Sequence, residues 1–204
     1  MTKILSDKKL KKNFYRRDVL TVAKELLGKT LVKKGKNEIL AGKIVEVEAY
    51  HGDIDEASHS FRGRTKRNEI MFNAGGYLYV YFTYGAHFCC NVVTGKKDQG
   101  TAILIRAVEP ISGIEKMIKN RFSRKLKNEK EIFNLTSGPG KVCASFAINK
   151  NHSGIDLTGE EIFILGNKKL ADSEIGISKR IGITRSVDLP WRFFIKNNPY
   201  LSRK

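Results

Sequence analysis

Apolar residues recur at two different spacings along this chain, and the change from one to the other divides it into elements. Over residues 18–27 (DVLTVAKELL), Leu20, Ala23, Leu26 and Leu27 share one face at helical spacing. Asp18 suits the cap of that helix and Gly28 its stop. The spacing then shortens to two, predicting strands over 30–32 and 39–50 (ILAGKIVEVEAY) with a turn around Gly35. Residues 53–73 are polar and arginine-rich, a long ordered loop or a short helix. The stretches 77–84 (YLYVYFTY) and 101–109 (TAILIRAVE) are strongly β-prone. Pro110 is expected to open a helix through Met117 to Arg121, since proline is tolerated in a first turn. Residues 121–130 predict a mobile surface loop. Ser137-Gly-Pro-Gly-Lys141 precedes a helical VCASFAI, and later strands are expected at 161–165, 178–183 and 191–195. No repeat or linker divides the chain, so residues 1–204 read as a single domain, with 1–13 as a flexible basic lead-in. Strands outnumber helices at mixed separations. That favours an α+β fold on a curved, largely antiparallel sheet flanked by helices over a doubly wound one.

Charge narrows the partners. The 38 Lys and Arg against 21 Asp and Glu give a formal net charge of +17, which attracts phosphate in nucleic acid or anionic lipid. A lysine-rich coding bias would give the same count without any partner. The absence of a basic amphipathic stretch or a bilayer-length apolar run favours nucleic acid over membrane. Lys3, Lys8, Lys9, Lys11 and Lys12 are followed by no apolar stretch and cleavage site, so no secretory signal is read. Cys89, Cys90 and Cys143 make no metal pattern and cannot all pair; they read as small core hydrophobes in a reducing cytoplasm. His51, His59, His87 and His152 are dispersed, and neither a metal nor a cofactor is expected.

Two strands carry candidate chemistry. In the first, Val45, Val47 and Ala49 suit a core face, while Glu46, Glu48 and Tyr50 occupy the other. That second face is either a solvated surface paired with lysines or a carboxylate general base beside an aromatic wall. In the other strand, Tyr77, Tyr79 and Tyr81 share a face opposite Leu78, Val80 and Phe82. Such a stripe is either packing or a platform on which bases stack, each stack being worth roughly 1–3 kcal/mol. The Ser137–Lys141 turn lacks the spacing of a nucleotide phosphate loop. It is either a simple helix-opening turn or a cradle for a DNA phosphate, with Lys141 adding charge.

Together VEAYHGDIDEASHS (47–60), NEIMFNAGGYLYVYFTYG (68–85), the following FCCN, SGPGK and RIGI (180–183) resemble the alkyladenine DNA glycosylase family, over nearly the whole chain from Phe14 to Ser202. The resemblance implies a monomeric, formyltransferase C-terminal-like domain that acts on double-stranded DNA containing damaged purines. In that family's pattern Glu48 is the base that activates water and Arg106 helps hold that water, assisted by the main-chain carbonyl of Ile181. Tyr50, His59 and Tyr81 sandwich the extruded base, and Asn91 obstructs the amino group of normal guanine. Tyr84 is the wedge that fills the gap in the stack, and Thr65 and Arg67 fall near backbone contacts. The segment after His59 is one residue shorter than the family pattern, and Ala86 and His87 replace bulkier neighbours of the wedge. Two other classes meet part of the same evidence. A non-catalytic nucleic-acid-binding module would share the charge and tyrosines but gains nothing from a carboxylate facing phosphates. A formyltransferase C-terminal-type domain would need a catalytic partner domain, for which this length has no room.

Overall fold

A computed structural model describes residues 8–36, 38–83, 85–166 and 168–203. Two short helices come first, α1 (Lys12–Tyr15) and α2 (Val19–Leu26), with the Asp18 carboxylate accepting from the Thr21 N–H as the expected cap. Strands β1 (Thr30–Lys34) and β2 (Ile39–Tyr50) follow, then β3 (Leu78–Thr83), β4 (His87–Thr94) and β5 (Thr101–Ser112). Helices α3 (Ile114–Phe122) and α4 (Pro139–Ser145) precede β6 (Ile162–Leu165), β7 (Ile175–Ser178) and β8 (Arg192–Ile195). The eight strands form one curled antiparallel sheet in an α+β domain, ordered β3-β4-β5-β2-β1-β6, with β8 joining β2 and β7 joining β8.

β2 organises this sheet. Along one edge it pairs with β5; along the other it pairs first with β1, at 39–43, and then with β8, at 46–48. The change of partner coincides with register irregularities around Glu46. One face of the sheet packs on the helices: Val47, Ala49, Leu78, Val80, Cys90, Val92, Ile103 and Ile105 meet Val22 and Leu26 of α2, Met117 of α3 and Phe146 of α4. No helix among the described residues is long and apolar enough to cross a membrane.

Several elements depart from the sequence reading. Pro110 lies inside β5 opposite Gly42, next to a register shift where a ladder N–H is not required. The helix starts four residues later, after Gly113 at φ 73°, where a side chain would strike Leu40 and the Ile39 carbonyl. Strand β4 was not anticipated, because Cys89, Cys90 and Asn91 interrupt the β-branched run that marks its neighbours. Within the expected flexible lead-in, residues 8–10 run along β6, where Leu10 N–H donates to the Ile164 carbonyl, and Lys12 opens α1. The strand expected at 178–183 instead ends at Ser178. Beyond it the chain leaves the ladder and turns inward.

That inward turn is fixed by Arg180, whose buried guanidinium forks onto Asp55 at 2.5 and 2.7 Å and also donates to the Ala49 carbonyl at 2.9 Å. The pair ties the 51–68 loop to the 179–186 segment. Removing one partner leaves a buried charge uncompensated, typically at about 3–5 kcal/mol. Asp55→Ala is therefore expected to lose stability on that scale in urea unfolding; a loss under about 1 kcal/mol would show that the tie is incidental.

Candidate active site

The sheet register assembles a row of side chains across four strand boundaries. Tyr79 pairs with Asn91, Asn91 with Leu104, Leu104 with Glu48 and Glu48 with Arg192. Because side chains alternate along each strand, the whole row faces away from the helices. Over this face lies a cavity of about 520 Å³, with Tyr79 and Tyr81 of β3, Asn91 of β4 and Arg106 of β5 in its wall. His59, from the 51–68 loop, and Ile181, from the inward-turning segment, also line it.

Glu48 and Glu46 are both fully buried, so the solvated-face alternative for this strand is set aside. Glu48 does not open onto the cavity directly. It lies beneath three groups that do: Ile181 N–H donates to Oε1 at 2.7 Å, while the Tyr50 hydroxyl and Arg106 Nη1 donate to Oε2 at 3.0 and 3.1 Å. Burial and the neighbouring Glu48 charge push the Tyr50 phenol well above its usual pKa, which keeps it a neutral donor. Arg106 spans both carboxylates, donating from Nε to Glu46 at 2.9 Å as well. Burial alone would lower its pKa, but the charges of Glu48 and Glu46 outweigh this and raise it. The main-chain group of Ile181 seen at Glu48 is its N–H, whereas the family resemblance pointed to its carbonyl.

Across the cavity His59 and Tyr81 meet edge to face with ring centroids 4.5 Å apart. That gap is too narrow for a third ring between them. The two rings therefore form one wall, with Tyr50 also bordering the cavity. The outer side of the Tyr50 ring carries the Arg180 guanidinium, 4.6 Å from its centroid. His59 Nδ1 is hydrogen-bonded to the Tyr79 hydroxyl at 3.1 Å. Buried Asn91 donates through Nδ2 to the Tyr79 carbonyl at 3.2 Å.

The remaining sequence candidates are more peripheral. Arg67 is exposed at the rim, its guanidinium 5.9 Å from the Tyr81 ring. Exposed Thr65 uses its N–H on Asn68, and buried Asn68 in turn donates to the carbonyls of His59 and Gly63. Lys141 Nζ contacts the side chains of Asn134 and Ser137. Tyr84 lies outside the described residues. No group of three or more His, Cys, Asp or Glu among the described residues could hold a metal ion.

Sequence reasoning passed over Glu46, Arg192, Ser202, Asp55 and Arg180 as parts of the site. Glu46 did leave a signal, an acidic residue on the same strand face as Glu48. Arg192 and Ser202 arrive from distant segments and left none.

Burial, reinforced by the Arg67 charge, lowers the His59 pKa below its ordinary 6.5. The unfolded chain then binds this proton more readily than the folded one, so His59 contributes a loss of stability as pH falls below about 6.5. Arg67→Ala is expected to raise the His59 pKa in an NMR titration of its ring; an unmoved titration would remove Arg67 as a cause.

Comparison with known proteins identifies the family. The model of the methylpurine-DNA glycosylase family matches residues 13–199. A curated relative from Alkaliphilus oremlandii is 49% identical over 202 residues, covering 96% of this chain and 100% of its own length. One from Carboxydothermus hydrogenoformans is 50% identical over 196 residues, covering 96% and 99%. One from Clostridium novyi is 47% identical over 204 residues, covering 97% and 100%. All three bear the provisional name 3-methyladenine DNA glycosylase. A match of this extent places the chain in the methylpurine-DNA glycosylase family, whose members are hydrolases of N-glycosyl bonds.

Proposed function

We propose that this protein flips alkylated or deaminated purines out of duplex DNA and hydrolyses their glycosidic bond with Glu48, leaving an abasic site. Its substrates on this reading are 3-methyladenine, 7-methylguanine, hypoxanthine and ethenoadenine. The observation that carries the reading is a buried carboxylate under an aromatic-walled cavity, held by a phenol, a guanidinium and a main-chain N–H that all border that cavity.

The chemistry follows from the charges. A purine cannot be cut from its sugar inside the stack, and damaged or mispaired bases cost least to extrude. A cationic alkylated purine between Tyr50 and the His59–Tyr81 wall gains roughly 0.5–2 kcal/mol from the ring faces. Burial favours neutral His59, which does not repel such a cation. As the C1′–N bond breaks, its electron pair leaves with the base. Water oxygen bonds to C1′ and passes a proton to Glu48. The carboxylate also stabilises positive charge building on the sugar. One lone pair of Oε1 remains beside the Ile181 contact and is the acceptor for that water. No lysine among the described residues borders the cavity to form a Schiff base. Hydrolysis without strand cleavage is therefore the expected outcome. Tyr84, the wedge residue of the family pattern, would fill the vacated position from the minor groove.

Glu48→Gln is expected to slow single-turnover release of hypoxanthine or ethenoadenine by about 10²–10⁴-fold, the range of general-base contributions; wild-type release would exclude Glu48 as the base. Tyr84→Ala should weaken binding to damaged duplex, and unchanged affinity would remove the wedge. Because the net charge of +17 favours phosphate contacts, affinity is expected to fall linearly in a plot of log K against log salt. A flat plot would contradict that mode of binding.

A further inference from the structure

Behind the cavity lies a second carboxylate that the proposed chemistry does not use. Glu46 is fully buried and accepts four hydrogen bonds: from Arg106 Nε at 2.9 Å, Arg192 Nε at 2.8 Å, Ser202 N–H at 2.6 Å and Ser202 Oγ at 2.7 Å. Ser202 is also an acceptor, receiving Arg106 Nε at 3.3 Å and Nη2 at 3.1 Å. Arg192 closes the ring through Ser178 Oγ at 3.0 Å and the Arg203 carbonyl at 2.7 Å. Glu46 and Ser202, from distant parts of the chain, therefore grip the Arg106 guanidinium from behind, while Arg192 holds Glu46. Its remaining terminal nitrogen, Nη1, faces Glu48 at 3.1 Å.

From this geometry we infer that Glu46 and Ser202 are positioning residues for glycosidic-bond hydrolysis, fixing Arg106 so that its Nη1 holds Glu48 in place. The inference rests on the proposed role of Glu48. An arginine side chain is long and rotamer-rich, and held at one end only it would sample many orientations. Anchoring Nε and Nη2 leaves one orientation for Nη1. Glu46 also sets the local charge. Glu46 and Glu48 face the guanidinia of Arg106 and Arg192, two charges of each sign. The other groups around Glu48 are the neutral Tyr50 phenol and the Ile181 N–H, with Arg180 beyond Tyr50 and neutral His59 and Tyr81 across the cavity.

The two functions of Glu46 separate experimentally. Glu46→Gln keeps the shape but deletes one negative charge, leaving Arg106 to act on Glu48 without its counterweight. Glu48 is then easier to ionise, so the acidic limb of the single-turnover pH–rate profile moves to lower pH. Loosening of Arg106 slows release at the plateau by about tenfold or more, with affinity for the damaged duplex unchanged. Ser202→Ala retains every charge. It should slow release severalfold without moving the limb, and Ser202→Thr, which keeps the hydroxyl, should recover the rate.

Glu48→Gln is measured in parallel. If it abolishes release while Glu46→Gln leaves both rate and limb where they were, the positioning role is wrong and the base survives. If Glu48→Gln releases base normally, the reading of Glu48 itself fails. A slower Glu46→Gln with an unmoved limb and a lowered melting temperature marks a purely structural residue and also overturns the inference. Should Glu46→Gln not fold, the serine pair decides: a Ser202→Ala protein as fast as wild type rejects the role, and a slow one restored by threonine supports it.

Discussion

A guanidinium held between two buried carboxylates is the constraint around which this structure is arranged. Taking Glu46, Glu48, Arg106 and Arg192 out of water is costly, and such groups persist only when each is paired and hydrogen-bonded. Here the requirement is met by importing partners from distant segments, Ser202 to Glu46 and the Ile181 N–H to Glu48, and by the Tyr50 hydroxyl two residues along the same strand. Burial opposes ionisation of Glu46, yet the donors from Ser202 and Arg192 together with the Arg106 charge hold its pKa below the ordinary carboxylate value. The same contacts explain why β7 stops at Ser178. The amide of Ile181 is committed to a carboxylate rather than to a strand ladder.

The second buried pair, Arg180 with Asp55, extends this logic to the cavity's mobile-looking elements. Residues 51–68 have little regular structure beyond turns and one 3-10 turn at Glu69–Phe72 immediately after them. They are nevertheless pinned at several points, by Asp55 on Arg180, Asn68 on the His59 carbonyl, and the Glu56 N–H on Ser186 Oγ. His59 is thus presented by a loop that is fixed through polar contacts rather than by apolar packing. Its ring is held in register beside Tyr79 and Tyr81 without a hydrophobic plug competing for the same space.

Much of this was legible in the residues. The two-residue alternation in β2 and β3 separates core from site at Val47, Ala49, Leu78 and Val80 on the helices and Glu48, Tyr50, Tyr79 and Tyr81 away from them. It fails at Val45, beside the register shift, which is outside the helix-facing cluster, and at Phe82, which is half exposed. The Asp18 cap was equally direct. What local pattern did not contain was the long-range pairing. Ser202 lies 156 positions from Glu46 and Arg192 lies 146 away, and nothing near either residue in sequence marks it as a donor to a buried acid. Pro110 misled for a related reason: its tolerance in a first helical turn is a local rule, while its place opposite Gly42 is set by sheet register.

The row running from Tyr79 to Arg192 bears on how such a pocket diversifies. Adjacent members are one strand apart, so their separations come in steps of about 4.8 Å dictated by main-chain geometry. Each position behaves as a fixed station. Replacing Asn91 or Leu104 changes the chemistry offered at one station and leaves its neighbours where they stand, whereas inserting or deleting a residue in 51–68 or 179–186 shifts an entire wall. The chemistry of the cavity's sheet wall is therefore adjustable by single exchanges, and its breadth by loop length, as two nearly independent dials.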